Sequence, residues 1–310
     1  MSAPALPSLL VTHWTLSPSV VAPALGAAVL YVVAAGRTRG RWPARRTTAF
    51  LAGIACVLIA LQSGIDAYDD QMLSVHMVQH MLLLMAAPPL LLGGRPLLLT
   101  LRSLSPARRS SFASSLDRAR PFTGPLQSLA AFAAVILLTH LPSFYDATLR
   151  QPALHDLEHA MYLGAGLLVF SPLVDGDPAP RHRLGGLGKL GYLIVAMLPM
   201  ALVGAYLNRH ATLFYPPYGP PARALGISAL DDQAQAGAIM WVVGGVVMTA
   251  VGLWAAVAAM VAEERRLAAR ETRAASLVPP DRGSLVTPDR RSLVTPDRGS
   301  LVTPDPGSTA

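Results

Sequence analysis

Seven apolar segments, each close to the length of a bilayer span, constrain this sequence more than any other feature. A helix needs about 20 mostly apolar residues to cross the hydrocarbon core of a membrane. The segments cover residues 20–36, 47–62, 71–93, 125–141, 153–173, 187–207 and 233–261. The pattern predicts an all-α, polytopic membrane protein with seven transmembrane helices.

The composition supports a membrane protein and excludes several other classes. Only 14% of the residues are charged, whereas soluble domains carry about 25%. The formal net charge of +7 does not indicate a nucleic-acid partner, because the basic residues lie in short connections between apolar segments. The single cysteine, Cys56, excludes a disulfide framework and a cysteine-cluster metal site. We therefore expect the chain to be surrounded by membrane lipid and to bind no nucleic acid.

The distribution of basic residues predicts the orientation of the chain. Eighteen of them lie in or beside the connections after the first, third and fifth segments or directly after the seventh, only three lie in the alternate connections, and the last four lie in the C-terminal tail. Cytoplasmic loops carry an excess of Lys and Arg. We therefore predict an N-terminus outside the membrane and a cytoplasmic C-terminus.

The chain is predicted to have three parts. Residues 1–19 form an extracytoplasmic segment, 20–262 the seven-helix membrane domain, and 263–310 a cytoplasmic basic segment with a tail. Between residues 276 and 307 the tail contains four copies of an eight-residue unit, such as SLVTPDRG. Proline in every copy and the short, polar unit predict that the tail is disordered. The N-terminus does not read as a cleaved signal peptide, so we expect the first apolar segment to direct insertion.

Histidines gather on the predicted outer side of the membrane. His76 and His80 lie near the start of the third segment, and His155 and His159 open the fifth; each pair is four residues apart and so shares one helix face. His140 ends the fourth segment on the same side. Imidazoles in an apolar segment are costly unless something binds them, and such i, i+4 pairs are a common chelating arrangement. We predict a shared metal site; hydrogen bonding between helices is the simpler alternative.

Methionines beside the first histidine pair bear on the identity of the metal. Met72 and Met77 flank His76, and thioether and imidazole ligands together favour copper, above all Cu(I), over zinc. Methionine in an apolar helix also serves simply as packing. Asp232, at the start of the seventh segment, is predicted as a further ligand, with helix capping as the alternative. Glu158 is a ligand, a partner of a ligand, or an interface residue.

Several blocks of sequence resemble a known family. They are SVHMVQHMLLLMAAPPLLLGG, THLPSFYDATL followed by HDLEHAMYLGAGLLVFSPL, and LFYPPYG followed by GISALDDQAQAGAIMWVVGG. In this order they resemble the multi-span CtaG-type cytochrome c oxidase assembly proteins of bacteria. The positions that match are the five histidines of the predicted site together with Asp232 and Gln233.

The resemblance implies a role without catalysis in the maturation of a haem–copper oxidase. Such a protein would sit in the bacterial plasma membrane and supply or insert copper. Its implied partners are subunits of cytochrome c oxidase, and a copper donor protein outside the membrane. The spacing of the histidines by itself indicates only a metal site near the outer leaflet.

Two other functions remain open at the level of the sequence. An intramembrane zinc-dependent hydrolase would use several histidines and Asp232 around a metal-activated water. A haem b membrane cytochrome would need two facing histidines, such as His80 and His159. The sequence contains no CxxCH, which excludes covalent c-type haem. Metal analysis and an absorbance spectrum separate these alternatives from a copper-binding factor.

Overall fold

The described residues form a bundle of helices. A computed structural model describes residues 13–38, 42–174 and 184–277 of the chain. Within these ranges every regular element is helical, which confirms the predicted all-α class. The α-helices are α1 (Pro18–Arg37), α2 (Ala44–Gln62), α3 (Gly64–Tyr68), α4 (Leu73–Met81), α5 (Ala87–Gly93), α6 (Pro96–Ser103), α7 (Pro106–Ala119), α8 (Pro125–Thr139), α9 (Pro142–Thr148), α10 (Pro152–Phe170), α11 (Gly186–Arg209), α12 (Gly219–Ala224), α13 (Ala229–Ala238) and α14 (Gly244–Leu277).

Two short π-helical segments interrupt long helices. The first, π1 (Leu82–Ala86), joins α4 to α5, and the second, π2 (Ile239–Val243), joins α13 to α14. A π-turn adds a residue to the helix and re-aims the side chains on either side of it, and such turns are frequent at functional sites. The segment π1 directly follows α4, which carries His76 and His80, and π2 directly follows α13, which carries Asp232.

Proline defines the start of many helices. The first residue of α1, α6, α7, α8, α9 and α10 is proline. Proline suits the first helical position because its fixed φ fits the helix and its missing N–H would have had no partner there. Two of these helix starts, Pro142 and Pro152, lie within three residues of His140 and His155.

Among the residues that the structure describes, five helices are long and apolar enough to cross a membrane. They cover Pro18–Arg37, Ala44–Tyr68, Leu73–Ser103, Gly186–Arg209 and Ala229–Arg273. A sixth candidate is the pair α8 and α9, which is bent by 76°. The protein is therefore a helical membrane protein, while the predicted seven spans and their orientation stay predictions.

The remaining predicted span, residues 153–173, corresponds to α10. This helix has 19 residues, which is long enough, but it does not meet the hydropathy of the other spans. The reason is local, since its first two turns carry His155, Asp156, Glu158 and His159. The polar residues that α10 contributes to the predicted site are therefore also the residues that lower its mean hydropathy.

Large apolar side chains cover the outside of the bundle. Leu30, Leu202 and Val246 are 72%, 69% and 64% exposed, and many others are similarly open. Soluble proteins seldom expose apolar surface on this scale. Contact with lipid explains it.

The helical run from α4 through π1 to α5 lies at the centre of the packing. It contacts α2, α10 and α13. At Gly166 of α10 a Cβ atom would lie 2.5 Å from the carbonyl oxygen of Leu84, so only glycine permits this approach. Close contact through small residues is typical of helix packing in membranes. It brings the first turns of α10 alongside those of α4.

The chain divides by its internal contacts into two units, Met1–Glu263 and Glu264–Ala310. The predicted N-terminal segment is described from residue 13 onward, and α14 extends to Leu277. The repeats beyond Leu277 lie outside the described residues. The three predicted domain ranges stay predictions.

Candidate metal centre

The two histidine pairs meet where the first turns of α4 and α10 lie side by side. The ring centroids of His76 and His80 are 4.2 Å apart, and those of His155 and His159 are also 4.2 Å apart. Between the helices, His76 lies 5.2 Å from His155 and His80 lies 6.1 Å from His159. Four predicted site residues are thus brought together.

Two carboxylates complete two overlapping groups of possible metal ligands. In the first group, one ligand atom from each of His76, His80 and Glu158 lies within 4.8 Å of the others. In the second, the same holds for Asp69, His76 and His155. His80 Nε2 is 3.9 Å from Glu158 Oε2, and His155 Nε2 is 3.8 Å from Asp69 Oδ2. These distances exceed a hydrogen bond and are short enough for both donors to bind one ion at about 2.0–2.2 Å, on two sides that are not directly opposite.

Buried polar atoms without hydrogen-bond partners are concentrated in this cluster. They are His76 Nε2, both ring nitrogens of His80, His140 Nε2, His155 Nε2 and both carboxylate oxygens of Glu158. Elsewhere among the described residues only Ser128 Oγ and Asp146 Oδ1 share this property. Buried polar groups in proteins are almost always paired. Imidazole nitrogens and carboxylate oxygens that converge without partners fit a metal ion.

Hydrogen bonds orient two of the imidazoles so that Nε2 carries the lone pair. The single hydroxyl proton of Tyr218 is donated to the backbone oxygen of Asp69 at 2.9 Å. The network therefore assigns a proton to Nδ1 of His76, which donates to the Tyr218 hydroxyl oxygen at 3.1 Å. His140 likewise donates from Nδ1 to the carbonyl oxygen of Ile136 at 2.8 Å. This arrangement is common behind metal-bound histidines.

Gln79 fixes the imidazole of His159. Its amide nitrogen donates to Ala60 O and to Asp66 Oδ1, each at 3.1 Å. Its amide oxygen therefore accepts from His159 Nε2, at 3.0 Å. His159 belongs to neither three-residue group, so the structure gives it a fixed place at the edge of the cluster.

His140 and two tyrosines lie against the imidazoles. The Tyr162 ring stacks on His80 at 4.0 Å, and its hydroxyl lies 3.5 Å from His140 Nδ1. The Tyr145 ring lies 5.0 Å from His76, and its hydroxyl lies 3.2 Å from that of Tyr218. His140 is thus adjacent to the cluster without belonging to either ligand group.

The carboxyl group of Asp69 lies in an unfavourable electrostatic environment. Burial raises its pKa to about 8, and the neighbouring carboxylates of Asp66 and Asp70 act in the same direction. An ionised Asp69 is costly here unless a positive charge is close to it. A bound cation supplies that charge.

Asp232 holds the start of α4 and does not belong to either ligand group. Its Oδ2 accepts from the backbone N–H of Leu73 at 2.7 Å. Its Oδ1 accepts from the backbone N–H and the hydroxyl of Ser74, at 3.2 and 2.5 Å. A carboxylate on the first N–H groups of a helix is a cap. The structure therefore places the predicted ligand behind the histidine-bearing helix rather than among the histidines.

Gln233, the other polar residue carried over by resemblance, holds a loop. Its amide oxygen accepts from the backbone N–H of Phe214 at 2.6 Å, and its amide nitrogen donates to Thr212 O at 3.1 Å. This loop leads into Tyr215, whose hydroxyl donates to the backbone oxygen of His140 at 2.9 Å. Asp232 and Gln233 thus act on neighbouring parts of the support for the cluster.

The predicted methionine ligands lie in apolar surroundings. Met72 packs with Ile65, Val75 and Leu225. Met77 is fully buried in the central core of the bundle. These positions fit the packing alternative, and thioether ligation of a metal stays a prediction.

Some residues that the structure brings into the cluster have no local sequence pattern that marks them as site residues. Asp69 is one of three aspartates that precede the first histidine pair within ten residues, and nothing local distinguishes it from the other two. Tyr218 lies in the connection between the sixth and seventh apolar segments. Its contact with Asp69 joins residues 149 positions apart, and no local pattern reveals such a pairing.

The fold and the cluster define a class: a polytopic helical membrane protein with buried histidines and carboxylates at one end of its bundle. Within this class the chain belongs to the cytochrome c oxidase caa3 assembly factor family (Caa3_CtaG), whose profile matches residues 29–262. The resemblance seen in the sequence is therefore confirmed.

Curated relatives of the chain come from mycobacteria. Uncharacterized proteins of Mycobacterium bovis and Mycobacterium tuberculosis are each 32% identical over 256 residues, covering 77% of this chain and 38% of their own. An uncharacterized protein of Mycobacterium leprae is 27% identical over 281 residues, covering 84% of this chain and 41% of its own. The chain thus spans less than half the length of these relatives. No solved structure matches it.

Proposed function

We propose that this chain binds copper at the histidine–carboxylate cluster and passes it to a haem–copper cytochrome c oxidase during assembly. The family supports the link to the oxidase. The observation that carries copper binding is the convergence of buried imidazole nitrogens and Glu158 oxygens without hydrogen-bond partners. Copper is here the cargo, and the chain carries out no catalysis.

The proposed place of this activity is the outer face of the bacterial plasma membrane. The distribution of basic residues predicts that the first turns of α4 and α10 lie on that side. Oxidase subunits would then meet the same end of the bundle, where a copper donor protein outside the membrane also has access. A metal site at this end needs no passage of the ion through the bilayer.

The donor atoms of the cluster suit either copper or zinc. Imidazole suits both metals, and two histidines with one glutamate also occur in zinc hydrolases. Membership of an oxidase assembly family favours copper. A purified protein with one zinc per chain and with cleavage of a lipid amide or ester would support the hydrolase instead.

The packing around His80 argues against a haem b site. A haem bound by His80 and His159 would need space for the macrocycle between the two rings. The Tyr162 ring stacks on His80 at 4.0 Å, and Gln79 binds His159 at 3.0 Å. We expect no Soret band from protein produced in haem-replete cells.

Metal analysis of the purified, detergent-solubilised protein tests the proposal. The comparison is between the wild type, a His76→Ala/His80→Ala double variant and a His210→Ala control. His210 follows α11 and belongs to neither ligand group. We expect copper in the wild type and in the control, and a loss of copper in the double variant. Equal copper in all three proteins would refute the proposed site.

A second measurement tests the link to the oxidase. In cells that express the double variant in place of the wild type, we expect an oxidase with less copper, and unchanged amounts of the assembly factor in the membrane. An oxidase with its full copper content in these cells would refute the proposed role in copper delivery.

A further inference from the structure

We infer that the cluster contains two overlapping stations for one copper ion, so that the ion enters at one and rests at the other. The entry station consists of Asp69, His76 and His155, and the resting station of His76, His80 and Glu158. His76 belongs to both. This inference rests on the proposed function and adds the order in which the residues act.

A gradient of burial distinguishes the two stations. The side chain of His155 is 20% exposed and that of Asp69 is 7% exposed, whereas those of His80 and Glu158 are 0% exposed. An ion that arrives from solution therefore reaches Asp69 and His155 first. An ion at His80 and Glu158 is shielded from water and from competing ligands.

His76 has the geometry of a shared ligand. Its ring centroid lies 4.2 Å from that of His80 and 5.2 Å from that of His155. Because Nδ1 is held by Tyr218, Nε2 is the atom that faces both stations. One lone pair binds one ion, so the two stations are occupied in turn.

The two stations offer the same donors, namely two imidazoles and one carboxylate. Transfer between them breaks the bonds to Asp69 and His155 and forms bonds to His80 and Glu158, while His76 stays bound. The charge of the site and the oxidation state of the ion do not change. Because the donor sets match, burial distinguishes the two states, and the fully buried resting station binds the ion more tightly than the partly exposed entry station.

Exposed acidic residues lie at the entry station. Asp70 and Asp156 are exposed, and both act electrostatically on His155. A patch of negative charge raises the local concentration of cations and their rate of arrival. At the resting station, by contrast, the side chains of His80 and Glu158 are fully buried.

The test compares variants of each station in the intact, detergent-solubilised chain. The entry variant is Asp69→Asn/His155→Asn, the resting variant is His80→Asn/Glu158→Gln, and the control is His210→Asn. Cu(I) is supplied from a chromophoric chelator, and uptake, loss and affinity are measured from the colour of the chelator. Helical circular dichroism and the melting temperature show that each variant is folded.

The two variants should behave differently because a step on the path affects rates, whereas the final site affects affinity. We expect the entry variant to slow uptake and loss by the same factor, about tenfold or more, with an unchanged Kd. We expect the resting variant to weaken Kd about 10–100-fold, with uptake as fast as in the wild type. The control should match the wild type.

Two results would overturn the inference, and they are distinguishable. If both variants weaken Kd equally, or if the entry variant leaves both rates unchanged, the two-station order is wrong while copper binding stands. If the wild type takes up no copper, the proposed function fails and the stations with it.

Discussion

The hydroxyl of Tyr218 fixes the ring of His76, and its removal isolates this effect. In Tyr218→Phe, Nδ1 of His76 loses its acceptor at 3.1 Å, so the ring is no longer held with Nε2 toward the other donors. Loss of such a supporting bond typically weakens metal binding about 10–100-fold. We expect a weaker Kd for copper in Tyr218→Phe, measured by competition with a chelator.

Tyr206→Phe is the matched control for this prediction. Tyr206 lies on α11 and is 49% exposed, and its ring packs at a tilt against His210 rather than against the cluster. We expect it to bind copper like the wild type. If Tyr218→Phe also bound copper like the wild type, the assigned orientation of His76 would be unimportant for binding.

The residues of the cluster differ in how far the sequence can reveal them. His76 and His80 can be predicted as a pair because four residues make one helical turn, and this relation is local. The contact of Asp232 with Leu73 joins residues 159 positions apart. Such pairings depend on how the helices pack, so the sequence predicts Asp232 as a ligand or a helix cap but does not show which atoms it binds.

The start of α4 depends on a cap that comes from another helix, α13. The carboxylate of Asp232 accepts from the first N–H groups of α4, and loss of a helix cap costs about 0.5–2 kcal/mol. We expect Asp232→Ala to lower the melting temperature clearly, and Asp232→Asn to lower it less, because the amide oxygen still accepts a hydrogen bond.

Copper binding in these variants separates a cap from a ligand. If Asp232 acts as a cap, Asp232→Asn should keep near-normal copper affinity while its stability falls. If it is a ligand, as the sequence predicted, Asp232→Asn should lose copper affinity with little change in melting temperature. Both quantities are measured on the same purified samples.

The contact between α11 and α13 depends on two facing glycines. A Cβ atom at Gly204 would lie 2.8 Å from the carbonyl oxygen of Gly237 and 3.0 Å from the backbone nitrogen of Trp241. Backbone atoms cannot move aside cheaply, and overpacking of this kind costs about 1–3 kcal/mol. We expect Gly204→Ala to lower the melting temperature of the protein in detergent.

Gly191→Ala on the same helix is the control for this substitution. No atom lies within 4 Å of a Cβ at Gly191, and alanine favours helix over glycine. We expect an unchanged or slightly higher melting temperature. Equal losses of stability in the two variants would mean that the close approach at Gly204 is not what stabilises this helix pair.

The helices themselves were predictable to different degrees. The apolar segments fix where most helices lie, because bilayer-length hydrophobic runs are long signals. The π-turns at Leu82–Ala86 and Ile239–Val243 could not be predicted, since their sequences are ordinary apolar helix formers. The bend of 76° between α8 and α9 could not be predicted either, although Pro142 lies at the point where the helix is interrupted.

For the chain as a whole, the orientation in the membrane decides on which side copper would be handled. The prediction of an outer cluster rests on 18 basic residues in one set of connections against three in the other. The packing of the helices is the same in either orientation, so the fold does not test it. Chemical labelling in intact cells does.

Single cysteines on opposite sides provide that test. In a Cys56→Ala background, Ala211→Cys lies in the connection after α11 and Ser110→Cys lies on α7, and both positions are exposed. A membrane-impermeant maleimide should label Ala211→Cys in intact cells and Ser110→Cys only after lysis. The reverse pattern would place the histidine cluster on the cytoplasmic side. Copper would then have to come from inside the cell, and delivery from an external donor would be excluded.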